Sequence, residues 1–164
     1  MRKIAFGFAA LTTVAAAPAM AATATAVMPV SVDIINSCTV AATPMSFGAP
    51  STIGGANIDS TSTVSLVCTN GATYDVALDN GLNATSGQRY MSNGAATPVK
   101  IPYNVFRDSA RSAAWSNASG TTTVSGTAGT SGNVTLTAYG RIPSTASSVG
   151  AGAYSDTVTV TVTF

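Results

Sequence analysis

YSDTVTVTVTF, residues 154–164, alternates between apolar and hydroxyl side chains over most of its length. One face carries Val158, Val160, Val162 and Phe164, and the other carries Thr157, Thr159, Thr161 and Thr163. Successive side chains of a strand point to opposite faces, so the pattern predicts a half-buried β-strand with an apolar inner row. No charge follows Asp156, although unpaired strand edges usually carry a charge, a proline or a bulge. We therefore expect this strand either to lie inside a sheet or to pair with another molecule.

The N-terminal residues match a secretory signal peptide. Arg2 and Lys3 precede an apolar run over residues 4 to about 18, and Ala19-Met20-Ala21 follows as an A-x-A cleavage site. The run is shorter than the roughly 20 residues that a membrane-spanning helix needs. The alternative is a buried N-terminal helix. We predict a signal peptide over residues 1–21 and export of residues 22–164, which is about one domain of chain.

The composition favours an uncharged, all-β protein. Charged residues make up 8% of the chain, against about a quarter in typical soluble domains. The six acidic residues are all Asp, and they nearly balance seven Lys and Arg. This balance provides no basic patch for nucleic acid. Abundant Thr, Ser and Gly could also indicate disorder, but the alternating Val and aromatic runs can bury a core.

The two cysteines, Cys38 and Cys68, predict a structural disulfide. An isolated pair in an exported protein is most simply a disulfide bond. A metal or redox site would require closer spacing or accompanying His, and the chain has no His. We therefore expect the bond to close a loop of about 30 residues.

Alternation and turn signals divide the remaining chain into short strands. Asn-Gly pairs mark turns at 70–71, 80–81 and 93–94, and the first predicts a tight hairpin between its flanking strands. Segments 49–58, 109–132 and 143–153 are rich in Gly, Ser and Ala and are predicted to be loops. Strands are predicted over residues 30–34, 61–68, 74–78, 100–107, 133–141 and 154–164. This spacing is typical of a β-sandwich or a β-barrel.

The residue types argue against catalysis. Without His or Glu, the usual general bases and the orienting partners of nucleophiles are missing. Asp75 and Asp79 are four residues apart on one predicted strand, about 13 Å by strand rise, and are predicted to be exposed. Asp108 is predicted to form a surface ion pair with Arg107 or Arg111. No catalytic, metal or cofactor site and no small-molecule substrate is inferred.

The region after the leader also alternates. Its apolar face carries Ala24, Ala26, Met28, Val30, Val32 and Ile34. Pro29, which lacks an N–H, fits an edge or a break between two segments. Chain termini are usually frayed unless they are tied down. The segment is therefore either the first strand of the sandwich behind a mobile tail, or an extension that adds as a strand to another molecule.

Several separated motifs resemble the spore coat U domain family, whose bacterial members include subunits of archaic (Csu-type) chaperone–usher pili. The resemblance covers essentially residues 30–164. The motifs are Ser37-Cys38-Thr39-Val40, Met45-Ser46-Phe47-Gly48, Ser65-Leu66-Val67-Cys68-Thr69-Asn70-Gly71, Tyr74-Asp75-Val76-Ala77-Leu78-Asp79, Arg89-Tyr90-Met91, Ile101-Pro102-Tyr103-Asn104-Val105-Phe106-Arg107, Trp115, Thr137-Ala138-Tyr139-Gly140-Arg141-Ile142-Pro143 and residues 154–164.

The resemblance implies an incomplete immunoglobulin-like β-sandwich that lacks its final strand. A periplasmic pilus chaperone would fill the resulting groove with a strand of its own, and the N-terminal extension of the next subunit would replace it at an outer-membrane usher. Val158, Val160, Val162 and Phe164 would form the groove edge that the chaperone recognises. Ala24, Ala26, Met28 and Val30 would form the donor strand.

The expected organisation is a signal peptide over 1–21, a donor extension over 22–29 with an outer limit at residue 34, and a pilin β-sandwich over 30–164. A single domain favours a rod or minor subunit over a two-domain tip adhesin. The expected function is a structural subunit of a surface pilus that supports adhesion and biofilm formation. The alternative is a self-contained secreted β-sandwich that coats a surface or binds a ligand.

Overall fold

The protein is described by a computed structural model that covers residues 20–118 and 120–164. The predicted signal peptide lies outside these residues, apart from its last two positions. Every regular element in the described part of the chain is a β-strand, which confirms the all-β prediction. The strands are β1 (Cys38–Ala42), β2 (Ile58–Cys68), β3 (Thr73–Leu78), β4 (Arg89–Ser92), β5 (Lys100–Phe106), β6 (Val124–Thr127), β7 (Asn133–Ile142) and β8 (Val160–Thr163).

The strands form two antiparallel sheets around one apolar core. The larger sheet has the order β1-β2-β7-β5-β4, and the smaller has the order β6-β3-β8. Trp115 is fully buried in the shared core, and its indole N–H donates to the carbonyl oxygen of Val76 at 2.8 Å. Two layers that bury one core make a β-sandwich, as the sequence predicted.

The centre of the larger sheet shows how the sequence pattern produces the layers. β2 and β7 pair from Ile58↔Ile142 to Val67↔Asn133. Val64 and Leu66 point inward and are almost completely buried, whereas Thr61 and Ser65 point outward and are exposed. β-Branched residues fit such a pleated, half-buried surface, which is why these strands were predictable.

The predicted hairpin at Asn70-Gly71 is wrong. Gly71 has a positive φ of 76°, and the amide of Ala72 donates to the carbonyl oxygen of Thr69 at 3.0 Å, so the tight turn forms. The strands on its two sides nevertheless belong to different sheets. β2 already pairs with β1 and β7, so it has no free edge for β3 and the chain crosses the core instead.

Three strands fall where the sequence predicted none, and one predicted strand is missing. β1 and β4 lie outside the predicted strands, and β6 lies inside a segment predicted to be a loop. β6 is short and rich in small residues, so its alternation is weak. Residues 30–34 do not form the predicted strand. The sandwich unit spans Ile34–Phe164, and residues 20–33 belong to a separate unit.

The alternating stretch at residues 154–164 passes from one sheet to the other. Ser155 exchanges two backbone hydrogen bonds with Ser92 of β4, at 2.9 and 3.0 Å. Four residues later, the carbonyl oxygen of Thr159 accepts from the amide of Asp79, directly after β3. Regular pairing in β8 therefore begins only at Val160, which makes β8 shorter than predicted.

The disulfide forms as predicted and ties β1 to β2. Cys38 and Cys68 lie directly opposite each other in the β1–β2 register and are joined by a 2.05 Å S–S bond.

The predicted ion pair of Asp108 is wrong. Its carboxylate instead accepts from the amides of Ser112 and Ala113, while Arg111 forms an ion pair with Asp59 at 3.3 Å. The two turn amides satisfy the carboxylate of Asp108 without a cation.

Candidate functional site

The outer edge of β8 is open. β8 pairs with β3, and no other strand in the described part of the chain pairs with it. In an antiparallel pair of strands, hydrogen-bonded and non-bonded residue pairs alternate. The hydrogen bond from Asp79 to Thr159 therefore shows which residues of β8 direct their backbone groups toward β3. The backbone groups of the threonines therefore face β3. Those of Val158, Val160 and Val162 face the open edge.

The outer edge of β1 is open in the same way. β1 is the terminal strand of the larger sheet and pairs with β2. Thr69 donates its amide to the carbonyl oxygen of Ser37 at 2.8 Å, and Thr43 donates to that of Thr63 at 2.9 Å. By the same alternation, the backbone groups of Cys38, Val40 and Ala42 face away from β2.

Between these two edges the core is exposed as a groove, which we call the β1–β8 groove. Val40 lies opposite the buried Leu66 and therefore points inward, yet 40% of its surface is exposed. On the other wall, Val158, Val160 and Val162 are only half-buried, and Phe164 is 53% exposed. Core-facing side chains that remain accessible indicate that a covering layer is absent between β1 and β8.

The groove opens into a cavity of about 400 Å³. Ala42 and Pro44 lie on one wall, and Val158 and Val160 lie on the other, with Leu78, Val105 and Ala138 among the lining residues. β1 and β8 contact each other, and neither Val40 nor Val162 lines the cavity. The cavity therefore lies beside Val158 and Val160, and Val162 lies outside it.

A second cavity of about 540 Å³ adjoins the first. It shares Met45, Phe47, Met91 and Tyr154 with the first cavity. Its remaining walls come from loop residues 46 and 48–53, from residues 149–152, and from two strand residues, Ile101 and Ile142. The two cavities together form a trench that extends past the start of β8.

A polar network holds the chain in place where it enters β8. Asp156 accepts from the hydroxyl of Tyr103 at 2.7 Å and from the side-chain amide of Asn83 at 3.0 Å. Arg89 is buried and donates from Nε to the carbonyl oxygen of Asp79 at 2.9 Å. Burial and the neighbouring Asp156 raise the pKa of Tyr103, and burial lowers the pKa of Arg89.

The prediction that Asp75 and Asp79 are exposed is wrong, because both are half-buried. Asp79 is half-buried, and its carboxylate accepts from the amides of Gly81 and Thr159, each at 2.9 Å. Burial raises the pKa of Asp79, but the Thr159 and Gly81 hydrogen bonds and the charge of Arg89 outweigh burial, so the pKa lies below its usual value. Asp79 thus fixes the start of the open strand.

The predicted donor residues lie outside the sandwich unit. Ala24, Ala26, Met28 and Val30 belong to the unit that ends at Asp33, form no strand and are exposed. The β1 wall of the groove was missed, although Cys38, Val40 and Ala42 alternate in the sequence and could have indicated it. No sequence pattern indicated that Met45 and Met91 both line the trench.

The described residues hold neither a metal-binding cluster nor a membrane-spanning helix. They contain no group of three or more His, Cys, Asp or Glu that could hold a metal ion. None of the same residues forms a helix long and apolar enough to cross a bilayer.

A solved structure shares this fold. The CsuC–CsuE chaperone–tip adhesion subunit complex from archaic chaperone–usher Csu pili of Acinetobacter baumannii matches with a TM-score of 0.55 and 24% identity over 80% of this chain. The match covers only 40% of that chain. The Escherichia coli Hda pilus minor tip subunit aligns over 76% of this chain and 79% of its own, with a TM-score of 0.42 and 12% identity. The first match supports an immunoglobulin-like sandwich.

Sequence comparison identifies the family. The Spore Coat Protein U domain profile matches residues 24–161. Protein U of Myxococcus xanthus is 32% identical over 95% of this chain and 93% of its own length. These proteins are structural rather than enzymatic, in agreement with the residue types of this sequence. The chain therefore belongs to the spore coat protein U domain family.

Proposed function

We propose that this chain is a structural subunit of an archaic chaperone–usher pilus and that it polymerises by donor-strand exchange. The observation that carries the proposal is the β1–β8 groove, where two open strand edges flank exposed core side chains. A strand inserted there would pair with backbone groups on β8 and cover the apolar row. This is recognition by strand addition.

The open groove leaves a substantial free energy of burial available to a partner. Fully burying a valine-sized side chain is worth about 1.5–3 kcal/mol relative to exposure, and the groove valines are about half-buried. Burial of Val158, Val160 and Val162, together with backbone hydrogen bonds along β8, can support a long-lived contact. An uncovered groove of this kind would also promote aggregation, so we expect the subunit to require a partner from the time of export.

The partners in this proposal are a periplasmic pilus chaperone, an outer-membrane usher and further copies of the chain or related pilins. The chaperone would lend a strand to the groove, and the extension of the next subunit would replace that strand. The Acinetobacter structure with the same fold is a complex of a subunit with its chaperone. Each copy would then use a groove at one site and an extension at another, and such head-to-tail contacts that do not close generate filaments.

The proposed location is a surface pilus that is reached through the periplasm. The predicted signal peptide supplies export, and the disulfide between Cys38 and Cys68 fits an oxidising compartment. Adhesion and biofilm formation are proposed as the roles of the assembled fibre. Nucleic acid, cofactors and small-molecule substrates have no part in the proposal.

A second candidate is a self-contained sandwich that coats a surface or binds a ligand as a monomer. The match to Protein U over nearly the full length of both chains favours it, because the family takes its name from a spore coat protein. On this alternative the groove would be stable when empty, or would be filled by the chain itself.

Periplasmic expression of residues 22–164 distinguishes the two candidates. For a pilus subunit we expect degradation or a ladder of polymers on size exclusion, converted to a one-to-one complex by a co-expressed pilus chaperone. A stable, fully folded monomer without a chaperone would contradict the proposal and favour the coat or binding protein.

A further inference from the structure

We infer that Met45 and Met91 form an oxidation-sensitive site in the trench, where a peroxide converts their thioethers to sulfoxides and thereby prevents a partner strand from covering the groove. This inference rests on the proposed function, because it names a chemical modification that would switch off the same site. It follows from where the two methionines lie, from what surrounds them and from which other side chains of the exported chain can react.

Both methionines of the sandwich lie in the trench. Of the five methionines in the chain, only Met45 and Met91 belong to the unit Ile34–Phe164. They come from different parts of the fold, since Met45 follows β1 and Met91 lies in β4. Each is half-buried, packs against the apolar core and lines both cavities. These cavities, of about 400 and 540 Å³, are large enough to admit a small peroxide beside either side chain.

The sulfur of Met45 lies directly over Gly140 of β7. A Cβ atom at position 140 would collide with Sδ of Met45 and press against the ring of Phe47. Because the backbone of β7 occupies that side of the sulfur, an oxygen added to the sulfur must project toward the trench. The modified surface is therefore the one that a partner strand would cover.

Thioethers are the side chains of this sandwich that a peroxide oxidises most readily. The chain has two cysteines, which are already joined as a disulfide, and one tryptophan, Trp115, which is fully buried. In the reaction a sulfur lone pair attacks one oxygen of hydrogen peroxide, the O–O bond breaks, and the second oxygen leaves as water with both protons. Sulfur loses two electrons and the peroxide is reduced. The product is a methionine sulfoxide, which methionine sulfoxide reductases can reduce again.

A sulfoxide would disfavour the covered state of the trench more than the open state. Oxidation converts a flexible apolar side chain into a polar one, and burying a polar group without a hydrogen-bond partner is unfavourable. The two tyrosine hydroxyls beside the trench are already used, since Tyr103 donates to Asp156 at 2.7 Å and Tyr154 donates to the carbonyl oxygen of Gly150 at 2.9 Å. In the open groove, water can satisfy the added oxygen. Conversely, a strand that covers the trench shields both sulfurs from peroxide.

A capture assay tests the site. The exported chain, residues 22–164 with its disulfide intact, is unfolded in urea, treated with hydrogen peroxide or left untreated, freed of peroxide and diluted into an excess of the pilus chaperone. Unfolding exposes Met28, Met45 and Met91 alike, and mass spectrometry confirms that each carries one added oxygen. The variant M45L/M91L keeps Met28 as its oxidisable methionine, and M28L is the matched control. Leucine replaces methionine with little change in volume.

Oxidation should lower capture of the unmodified chain and of M28L at least about tenfold, and should leave capture of M45L/M91L unchanged. Treatment of the oxidised chain with methionine sulfoxide reductases should restore capture. Equal capture of the oxidised and untreated chains, an equal loss in M45L/M91L, or no recovery after reduction would overturn the inference. If M45L/M91L fails to fold, the recovery after reduction decides the question by itself.

The preformed complex with the chaperone gives a second measurement. Met28 is 81% exposed and should be oxidised rapidly. Met45 and Met91 should react at least about tenfold more slowly, because oxidation follows exposure. Equal rates at the three methionines would overturn the shielding of the trench by a partner. No capture of the untreated chain would contradict the proposed function itself, and with it this inference.

Discussion

β2 and β8 carry similar alternating sequences but lie in very different surroundings. In β2, the inward-facing Val64 is 2% exposed, because β1 and β7 flank the strand on both sides. In β8, the inward-facing Val160 is only half-buried, because β3 flanks it on one side. The comparison shows that alternation predicts which face of a strand is apolar, whereas the number of neighbouring strands decides how completely that face is buried.

The largest expected effect comes from a charge on the open strand. Val160→Asp places a carboxylate where the partner strand must pack, and burying an unpaired charge costs several kcal/mol. We expect chaperone capture and surface fibres to fall by at least about a hundredfold, which corresponds to ~2.7 kcal/mol. Co-purification with the chaperone and electron microscopy of cells measure the loss.

Thr161→Asp is the matched control, because Thr161 is adjacent to Val160 but points outward and is exposed. This variant should be captured and assembled normally. Normal fibres from Val160→Asp would show that the inner row of β8 does not receive a strand.

Removal of the disulfide tests the opposite wall of the groove. The bond closes a loop with a sequence separation of 30 and holds β1 against β2. The loop-entropy relation gives a loss of about 3.5 kcal/mol for Cys38→Ser, so periplasmic yield should fall. The double variant with Cys68→Ser controls for effects of a free thiol. Unchanged yield and thermal stability under oxidising conditions would contradict a stabilising role.

Shortening one inward-facing side chain in each strand sharpens the comparison between β2 and β8. Leu66→Ala should lower the free energy of unfolding by about 3 kcal/mol, since Leu66 is 1% exposed. Val162→Ala should cost less than about 1 kcal/mol in the isolated subunit, because Val162 is already half-accessible. Urea unfolding measures both losses, and equal losses would mean that the groove is covered in solution.

The smallest expected effect is on the stability of the protein at low pH. The pKa of Asp79 in the folded protein lies below the ordinary value of 3.8. Its contribution to stability is therefore present above pH 3.8 and lost as the pH falls through the lower folded-state pKa. Asp79→Asn should flatten the decline of the unfolding midpoint as the pH falls below 3.8. An unchanged pH profile would contradict this role at the start of β8.

Much of the fold was predictable because it depends on local patterns. β2, β5 and β7 alternate strongly, and the only cysteine pair formed the expected bond. The strands that were missed are short or weakly apolar, as β6 is. The Asn70-Gly71 turn was recognised, but its place between two sheets depends on β2 having both edges occupied, which no local pattern contains.

The groove was only partly predictable for the same reason. Its β8 wall follows from the alternation at 154–164, so Val158, Val160 and Val162 could be named from sequence. Its β1 wall and the trench at Met45 and Met91 depend on contacts between residues that are distant in the chain. The sequence predicts a strand with an apolar face, and only the sheet order shows that the neighbouring position is open.

Adding the missing strand in cis tests the central claim most directly. The exported chain is extended after Phe164 by a flexible linker and a second copy of residues 23–34. The control carries Met28→Asp and Val30→Asp in the appended copy. We predict that the first variant is a chaperone-independent monomer with a higher urea midpoint, while the control behaves like the unmodified chain. Equal stability and equal oligomeric state of the two variants would contradict an open groove that accepts a strand.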